Sequence, residues 1–448
     1  MPHPQRCPPP PSTRKRTERA SPELEGHENP SQPKKIRRLA PSQSFADVLK
    51  EMPVNDCPSP ANIDADTVNL LEEALVFQYT DIVRHPKLAD ILIFGVTEAG
   101  LRVLVHVTST IDIVMSQIFG PVDGFLRFYE MKAMSWIEIP VGKFKPVVDD
   151  SERLSFNQVE FSASHHDMLF HPQAHEGPWS KSAPLRILSF DIEAMVAPDN
   201  GMPRYDHERI IQIGTMLANE GEPYPYHRTI FTLNTCSPID GTEVRSFDDE
   251  PSMLMAWRNF LVDNDPDLII GHNIGAFDIP QLILRSQVLN LDKFPYLGRL
   301  KDVCADAYKL PANKRNIGDA PVLAGRLQLD IRQHVEESRM ARTTAERTPV
   351  TCRPRCDLNT ISLEFLGEAK EEIHFMKINP LQQGGPEDRR QLAVYCLKDT
   401  HLPLRLFEKL GCLEESVEAA RSNLDYKFKP FGKFLRNGRN RAPGWWRN

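Results

Sequence analysis

The sequence predicts an α/β fold built on a partly antiparallel sheet, and three observations carry that expectation. The run Leu185 to Glu193 (LRILSFDIE) is followed by strand-like Ile210 to Met216 and Thr229 to Leu233, three strands with short links that suit an antiparallel meander. Met253, Leu254, Trp257, Phe260 and Leu261 fall at helical spacing within Pro251 to Val262, so a helix should cover the sheet. A short apolar strand, Leu268 to Ile270, then leads to a helix with Asp278 as its acidic cap and Pro280 close behind.

The first of these strands carries the chemistry. Side chains alternate along a strand, so Leu188, Phe190 and Ile192 face one way and Ser189, Asp191 and Glu193 the other. Two carboxylates thus share a face about 7 Å apart, at ~3.3 Å of rise per residue. Burying them without a counter-charge is costly. Either a pair of divalent cations supplies that charge, or the strand end is exposed and the acids are solvated.

Composition sets the wider bounds. With 448 residues, 40% hydrophobic and 26% charged, the chain can build more than one domain and at least one sizeable core. No apolar run approaches the ~20 residues of a membrane span, and the Pro-rich, basic start lacks the apolar centre of a signal peptide. The formal net charge of -7 conceals two basic ends around an acidic middle. Eight scattered cysteines suit reduced thiols in an intracellular compartment, and Cys352 and Cys356 have no second pair at zinc-site spacing.

Four segments follow. Residues 1–44 are expected to be a disordered basic, Pro-rich tail, in which Arg14-Lys15-Arg16 and Lys34-Lys35-Ile36-Arg37-Arg38 are spaced like a bipartite nuclear import signal. Residues 45–184 read as a small β-rich domain: Ile91 to Val96 and Leu101 to Val107 flank the turn Glu98-Ala99-Gly100, and Ser135 to Ile139 ends at Pro140. It is open whether this part is scaffold or nucleic-acid platform, and His165, His166, His171 and His175 are expected to be solvated. Residues 185–420 form the α/β domain. Within it Gly325 to Val335 is a strand or a helix start, Ser338 to Arg355 an exposed loop, and Asp388 to Leu410 a helix interrupted by Pro403. Residues 421–448 are a basic tail with interleaved aromatics, able to grip single strands or else simply a non-homologous end.

Four carboxylates can be taken together: Asp191, Glu193, Asp278 and Asp399. Tyr395 lies four residues before Asp399, on the same helix face, where its hydroxyl could hold an attacking water. Acidic oxygen ligands in this number suit two-metal hydrolysis of a phosphodiester.

The ordered set SFDIE, then Asn273-Ile-Gly-Ala-Phe277-Asp278, then Tyr395-x3-Asp399, resembles the three exonuclease motifs of family B DNA polymerases. EGPWSKSAPLRILSFDIE, DKFPYLGRLK, RRQLAVYCLKDTHLPLRLFEKL, FGVTEAG and SWIEIPVGKF are similar to the eukaryotic replicative members, so the resemblance runs with gaps from about Phe94 to Ala420. It implies a ribonuclease H-like fold that removes nucleotides from DNA 3′ ends in the nucleus, with replication accessory subunits as further partners. By the same resemblance Asp191, Glu193, Asp278 and Asp399 would ligate two Mg²⁺ or Mn²⁺, Asp191 bridging both. Tyr395 would orient the water, and Asn273 and Phe277 would approach the terminal nucleotides.

The sequence also departs from the family. The polymerase motifs Asp-Thr-Asp and Ser-Leu-Tyr-Pro are absent. The stretch between about Thr108 and Phe125 is much shorter, Asp357 stands where Tyr is usual, and Ala194 where Cys is usual. The first expectation is therefore a 3′-5′ exonuclease without polymerase activity; the second is a protein that holds DNA ends or joins a replication assembly without turnover.

Overall fold

The computed structural model describes residues 44–53, 72–88, 90–108, 121–172, 177–197, 203–305, 322–346, 355–369 and 373–422. The two basic clusters, His175, Cys352 and the aromatic tail from residue 423 lie outside them. Two sheets organise the rest. The first has seven strands: β1 (Leu75–Arg84), β2 (Ile91–Val96), β3 (Arg102–Thr108), β4 (Trp136–Ile139), β5 (Phe144–Pro146), β6 (Val159–Ser164) and β7 (Leu169–His171). They lie in the order β5-β6-β3-β2-β1-β4-β7, and the expected hairpin is the antiparallel pair β2 and β3, with Gly100 at φ +83° in its turn. Among its described residues the segment also holds the α-helices α1 (Phe45–Glu51) and α2 (Pro121–Phe128), which the run of strand-like segments did not announce.

The second sheet comprises β8 (Arg186–Ala194), β9 (Ile210–Asn219), β10 (His227–Leu233), β11 (Glu243–Phe247), β12 (Leu268–Gly271) and β13 (Leu327–Asp330), ordered β11-β10-β9-β8-β12-β13. β8, β9 and β10 form the expected antiparallel meander, while β12 runs parallel to both β8 and β13. One face packs Leu188, Phe190 and Ile192 against Trp257 and Phe260 of α3 (Glu250–Asn264) and Ile279, Leu282 and Ile283 of α4 (Asp278–Val288). This is the alternation that the sequence of β8 requires, with its odd-numbered neighbours left for the opposite face.

That opposite face is covered by α8 (Pro386–Leu410), which follows α5 (Ile331–Glu346), α6 (Leu358–Leu366) and α7 (Ile378–Gln383) and precedes α9 (Cys412–Ser422). Close approach of α8 depends on Gly214 of β9: a Cβ there would run into Thr400 Oγ1 and lie 3.1 Å from Cys396 Sγ. Pro403 does not interrupt α8, which continues for two turns beyond it. Proline cannot donate to the carbonyl four residues back, and Ser189 Oγ donates to the neighbouring Thr400 carbonyl at 2.7 Å.

Three further expectations are corrected. Ser338 to Glu346 is helical, as the second half of α5, and Arg339, Met340, Ala341, Arg342, Ala345 and Glu346 are strong helix formers there, while residues 347–354 of the expected loop lie outside the described residues. His165 is buried and hydrogen-bonded to the Tyr129 hydroxyl, and His171 is half-buried, stacked on Trp179 and paired with Glu138, so these two depart from the expected solvated state because aromatic rings cover them, whereas His166 is exposed as expected. Asp278 is not the cap of α4 but its first residue, the cap position being Phe277.

A buried ion network joins the strand ends. Asp267, fully buried, accepts from Arg102 Nη2 of β3 at 2.9 Å, Arg299 Nη2 at 2.6 Å and the Arg186 backbone N–H at 2.8 Å. Asp265 accepts from Arg299 Nε at 2.8 Å and Arg326 Nη1 at 2.6 Å. Burial alone would raise the Asp267 carboxyl, but Arg102 and Arg299 hold it well below the usual carboxylate range.

Just beyond β9, half-buried Glu220 behaves oppositely. Burial first, then Glu414 and Glu408, push its carboxyl up to about 7. Its folded value exceeds the unfolded value of about 4.3, so the stability it confers is complete below that value and is lost as the pH rises through about 7. Glu220→Gln should therefore melt with wild type near pH 4 and above it at pH 8; equal melting at pH 8 would refute this.

Candidate active site

The site forms where β8 outlasts its neighbour. β12 pairs with β8 only as far as Ser189 and then leaves at Gly271, where a Cβ would meet Ile274 and, at 2.8 Å, the Phe190 carbonyl. The chain turns at Asn273, in the left-handed region at φ +67°, and enters α4. Asp278 Oδ1 then accepts from the backbone N–H of Ile192 at 3.1 Å, so its carboxylate sits on β8 between Asp191 and Glu193. A first-turn carboxylate that pairs with another strand explains why Asp278 does not cap its own helix.

Asp191 and Glu193 project toward α8. Oxygen atoms of both carboxylates and Cys396 Sγ all lie within 4.8 Å of one another, and the Cys396 thiol contacts the Asp191 carbonyl at 3.6 Å. Tyr395 and Asp399, one turn apart on α8, are both buried, and Tyr395 packs in the cluster that includes Ile192 and Ile378. The structure thus gathers the Asp191–Glu193 pair, Asp278 and the α8 residues around the end of β8.

The electrostatics of this site are those of acids withdrawn from water, with neighbouring acids adding to the effect. Burial raises the Asp278 carboxyl to about 7, and Asp330 and Asp399 add to the rise. Burial likewise pushes the Cys396 thiol far up, followed by the charges of Asp191, Glu193 and Asp399. Hard carboxylate oxygens in this number fit Mg²⁺ or Mn²⁺, and bound cations would offset the repulsion that these shifts record.

The expected substrate-contact residues are placed differently from one another. Asn273 has its Oδ1 engaged by Arg332 Nη1 at 3.3 Å, and Phe277 is half-buried against the α3 and α4 core. Two residues near the site had no motif to announce them. Cys396 is brought to the acids by α8, and Asp330, at the end of β13, receives backbone N–H groups from the turn before Asp278. The Asp330 signal was present as the last polar residue of the alternating run LQLD, at the carboxyl end of a strand next to β12. Ala194 closes β8 in a buried position, and Asp357 caps α6 by accepting from Thr360 N at 3.0 Å, which accounts for an acid at that site.

Beyond β8, Asn379 of α7 holds the departing chain by two bonds to the Val196 backbone, at 2.8 Å and 2.9 Å. The floor of the site is therefore anchored on both sides, by Asp278 at Ile192 and by Asn379 at Val196.

A family model described as "DNA polymerase family B, exonuclease domain" matches residues 123–344. The DNA polymerase delta catalytic subunit of Candida albicans is 41% identical over 297 residues, 65% of this chain and 27% of that protein. That of Arabidopsis thaliana is 39% identical over 64% of this chain and 25% of its own length, and that of Oryza sativa 36% identical over 79% and 31%. This chain thus spans between a quarter and a third of these relatives. Among solved structures, the family B DNA polymerase from Pyrobaculum calidifontis aligns with TM-score 0.50 and 16% identity, covering 78% of this chain and 47% of that one. The meander flanked by parallel strands is of ribonuclease H-like type, and the chain carries the exonuclease domain of family B DNA polymerases, related in sequence to the delta catalytic subunit.

Proposed function

We propose that this chain is a metal-dependent 3′-5′ exonuclease acting on single-stranded or frayed DNA ends. The observation that carries this reading is the Asp278 carboxylate bound to the backbone between Asp191 and Glu193, which draws three acids from two elements onto one strand end. Asp191, Glu193, Asp278 and Asp399 would hold two Mg²⁺ or Mn²⁺. When bound, such ions activate water and stabilise the leaving oxygen of a phosphodiester.

The remaining steps belong to the chain. Tyr395 directs its hydroxyl to the attacking water, and Asn273 and Phe277 approach the terminal nucleotides. Two basic clusters in residues 1–44 take the protein to the nucleus, where replication accessory subunits are its further partners.

The test is a single-stranded oligonucleotide labelled at its 5′ end, with Mg²⁺ or with EDTA. A ladder that shortens stepwise with Mg²⁺ and is unchanged in EDTA is expected. Binding of the strand without cleavage at high protein concentration would replace this reading with that of an end-holding protein.

A further inference from the structure

The strongest feature outside the motif residues is Asp330. It is buried at the last position of β13, directly opposite Gly271, where β12 gives way to the turn that leads to Asp278. Its Oδ1 accepts from Asn273 N at 2.8 Å and Arg332 N at 3.0 Å, and its Oδ2 from Gly275 N at 3.1 Å. A more distant contact from Gln333 N to Oδ1, at 3.4 Å, completes a set drawn from two elements. The Arg332 guanidinium returns to the same turn through Asn273 Oδ1.

The bonds continue without a gap toward the site. Phe277 N donates to the Asn273 carbonyl at 3.0 Å, Ile279 N to the Ile274 carbonyl at 3.0 Å, and Asp278 itself accepts from Ile192 N. Asn273 requires a left-handed backbone, a conformation that costs a non-glycine residue free energy unless its surroundings impose it. Asp330 is the group that imposes it, because it binds the N–H of Asn273 and the N–H two residues later with its two different oxygens.

We propose that Asp330 is a positioning residue of the nuclease site, fixing the Asn273–Asp278 turn so that the Asp278 carboxylate and the Asn273 side chain keep their places. This deepens the exonuclease reading and rests on it. The competing role is local: Asp330 could serve only the first turn of α5, through Oδ1. Oδ1 serves both the turn, at Asn273 N, and the helix start, at Arg332 N, whereas Oδ2 serves the turn through Gly275 N, and that second oxygen makes the two roles separable.

Asp330→Asn is the informative substitution. Asparagine starts a helix about as well as aspartate, so the α5 contacts through one oxygen survive. Its amide NH₂ cannot accept from Gly275 N, so the turn loses an anchor. Partners that orient metal ligands typically cost ~10- to 100-fold in metal affinity or activity when removed. Mn²⁺ affinity, measured by calorimetry on the full chain without DNA, should fall about 10-fold or more, with faster amide exchange at residues 273–278 and little change in exchange over α5. The cleavage rate should fall with it, while KM for the strand changes less.

An Asp330→Asn chain with wild-type Mn²⁺ affinity and wild-type exchange in the turn overturns this inference alone. So does faster exchange across α5 with the turn unchanged, which assigns Asp330 to the helix start. A wild-type chain that binds no Mn²⁺ overturns the exonuclease reading and this inference together.

Discussion

Replacing Asp191 and Glu193 together by alanine should reduce nucleotide release from a 3′ end by about 10³-fold or more, the several kcal/mol that metal-held charge contributes to such a transition state. The fold should persist, because both residues project from β8 toward α8 while Leu188, Phe190 and Ile192 hold the opposite face in the core. In EDTA the double variant should melt at a higher temperature than wild type. Asp191 and Glu193 bring carboxylate oxygens within 4.8 Å of each other and of Cys396, and with no cation bound the removal of two crowded like charges relieves their mutual repulsion. Loss of activity together with a higher melting temperature separates a site from a structural ion network. Equal degradation by variant and wild type would show that the observed nuclease is a contaminant or lies elsewhere, and a lower melting temperature in EDTA would show that the acids are structurally required.

The largest loss of stability is expected from Asp267→Asn. The carboxylate at position 267 is fully buried and serves Arg102, Arg299 and the Arg186 N–H at once. Removing one charge from a buried network of this kind costs about 3–5 kcal/mol, because the partner charges stay behind without full compensation. Here the stranded groups are two guanidiniums from different parts of the chain, one of them on β3 of the first sheet. Urea unfolding at pH 7 would measure the loss, and a change under about 1 kcal/mol would mean that Asp265 and neighbouring carbonyls satisfy both arginines. The sign of the pH dependence is also set. The Asp267 carboxyl is held below its ordinary value, so its contribution is present above about pH 4 and is lost as the pH falls toward the folded value. Asp267→Asn should therefore flatten the acid limb of the stability profile while lowering the plateau.

What could be read from the sequence was whatever repeats with the period of its own backbone. The β8 alternation, the α3 stripe from Met253 to Leu261 and the meander through Leu233 follow from spacing alone. The four acids were visible because three short motifs lie in order along the chain. What escaped depends on groups distant in sequence. Asp278 looked like a helix cap until β8 supplied the Ile192 N–H, 86 positions away. His165 looked solvated until Tyr129 and neighbouring rings enclosed it. Asp330 had no recognisable spacing to Asn273, because its partners are backbone N–H groups, which every residue but proline carries. The second half of α5 failed for the converse reason: a helix can continue over residues that show no apolar period.

Gly214 has a consequence for judging other chains of this kind. The carboxylates are the residues by which a nuclease of this design would be recognised, yet none of them can act unless α8 lies hard against the sheet, and a hydrogen at position 214 permits that approach. One methyl group there would meet Thr400 and crowd Cys396 on the turn that carries Asp399. A sequence could therefore keep every acidic motif intact and still be a silent copy. Activity in a degenerate relative is better judged from the acids together with the empty space at this glycine than from the acids alone.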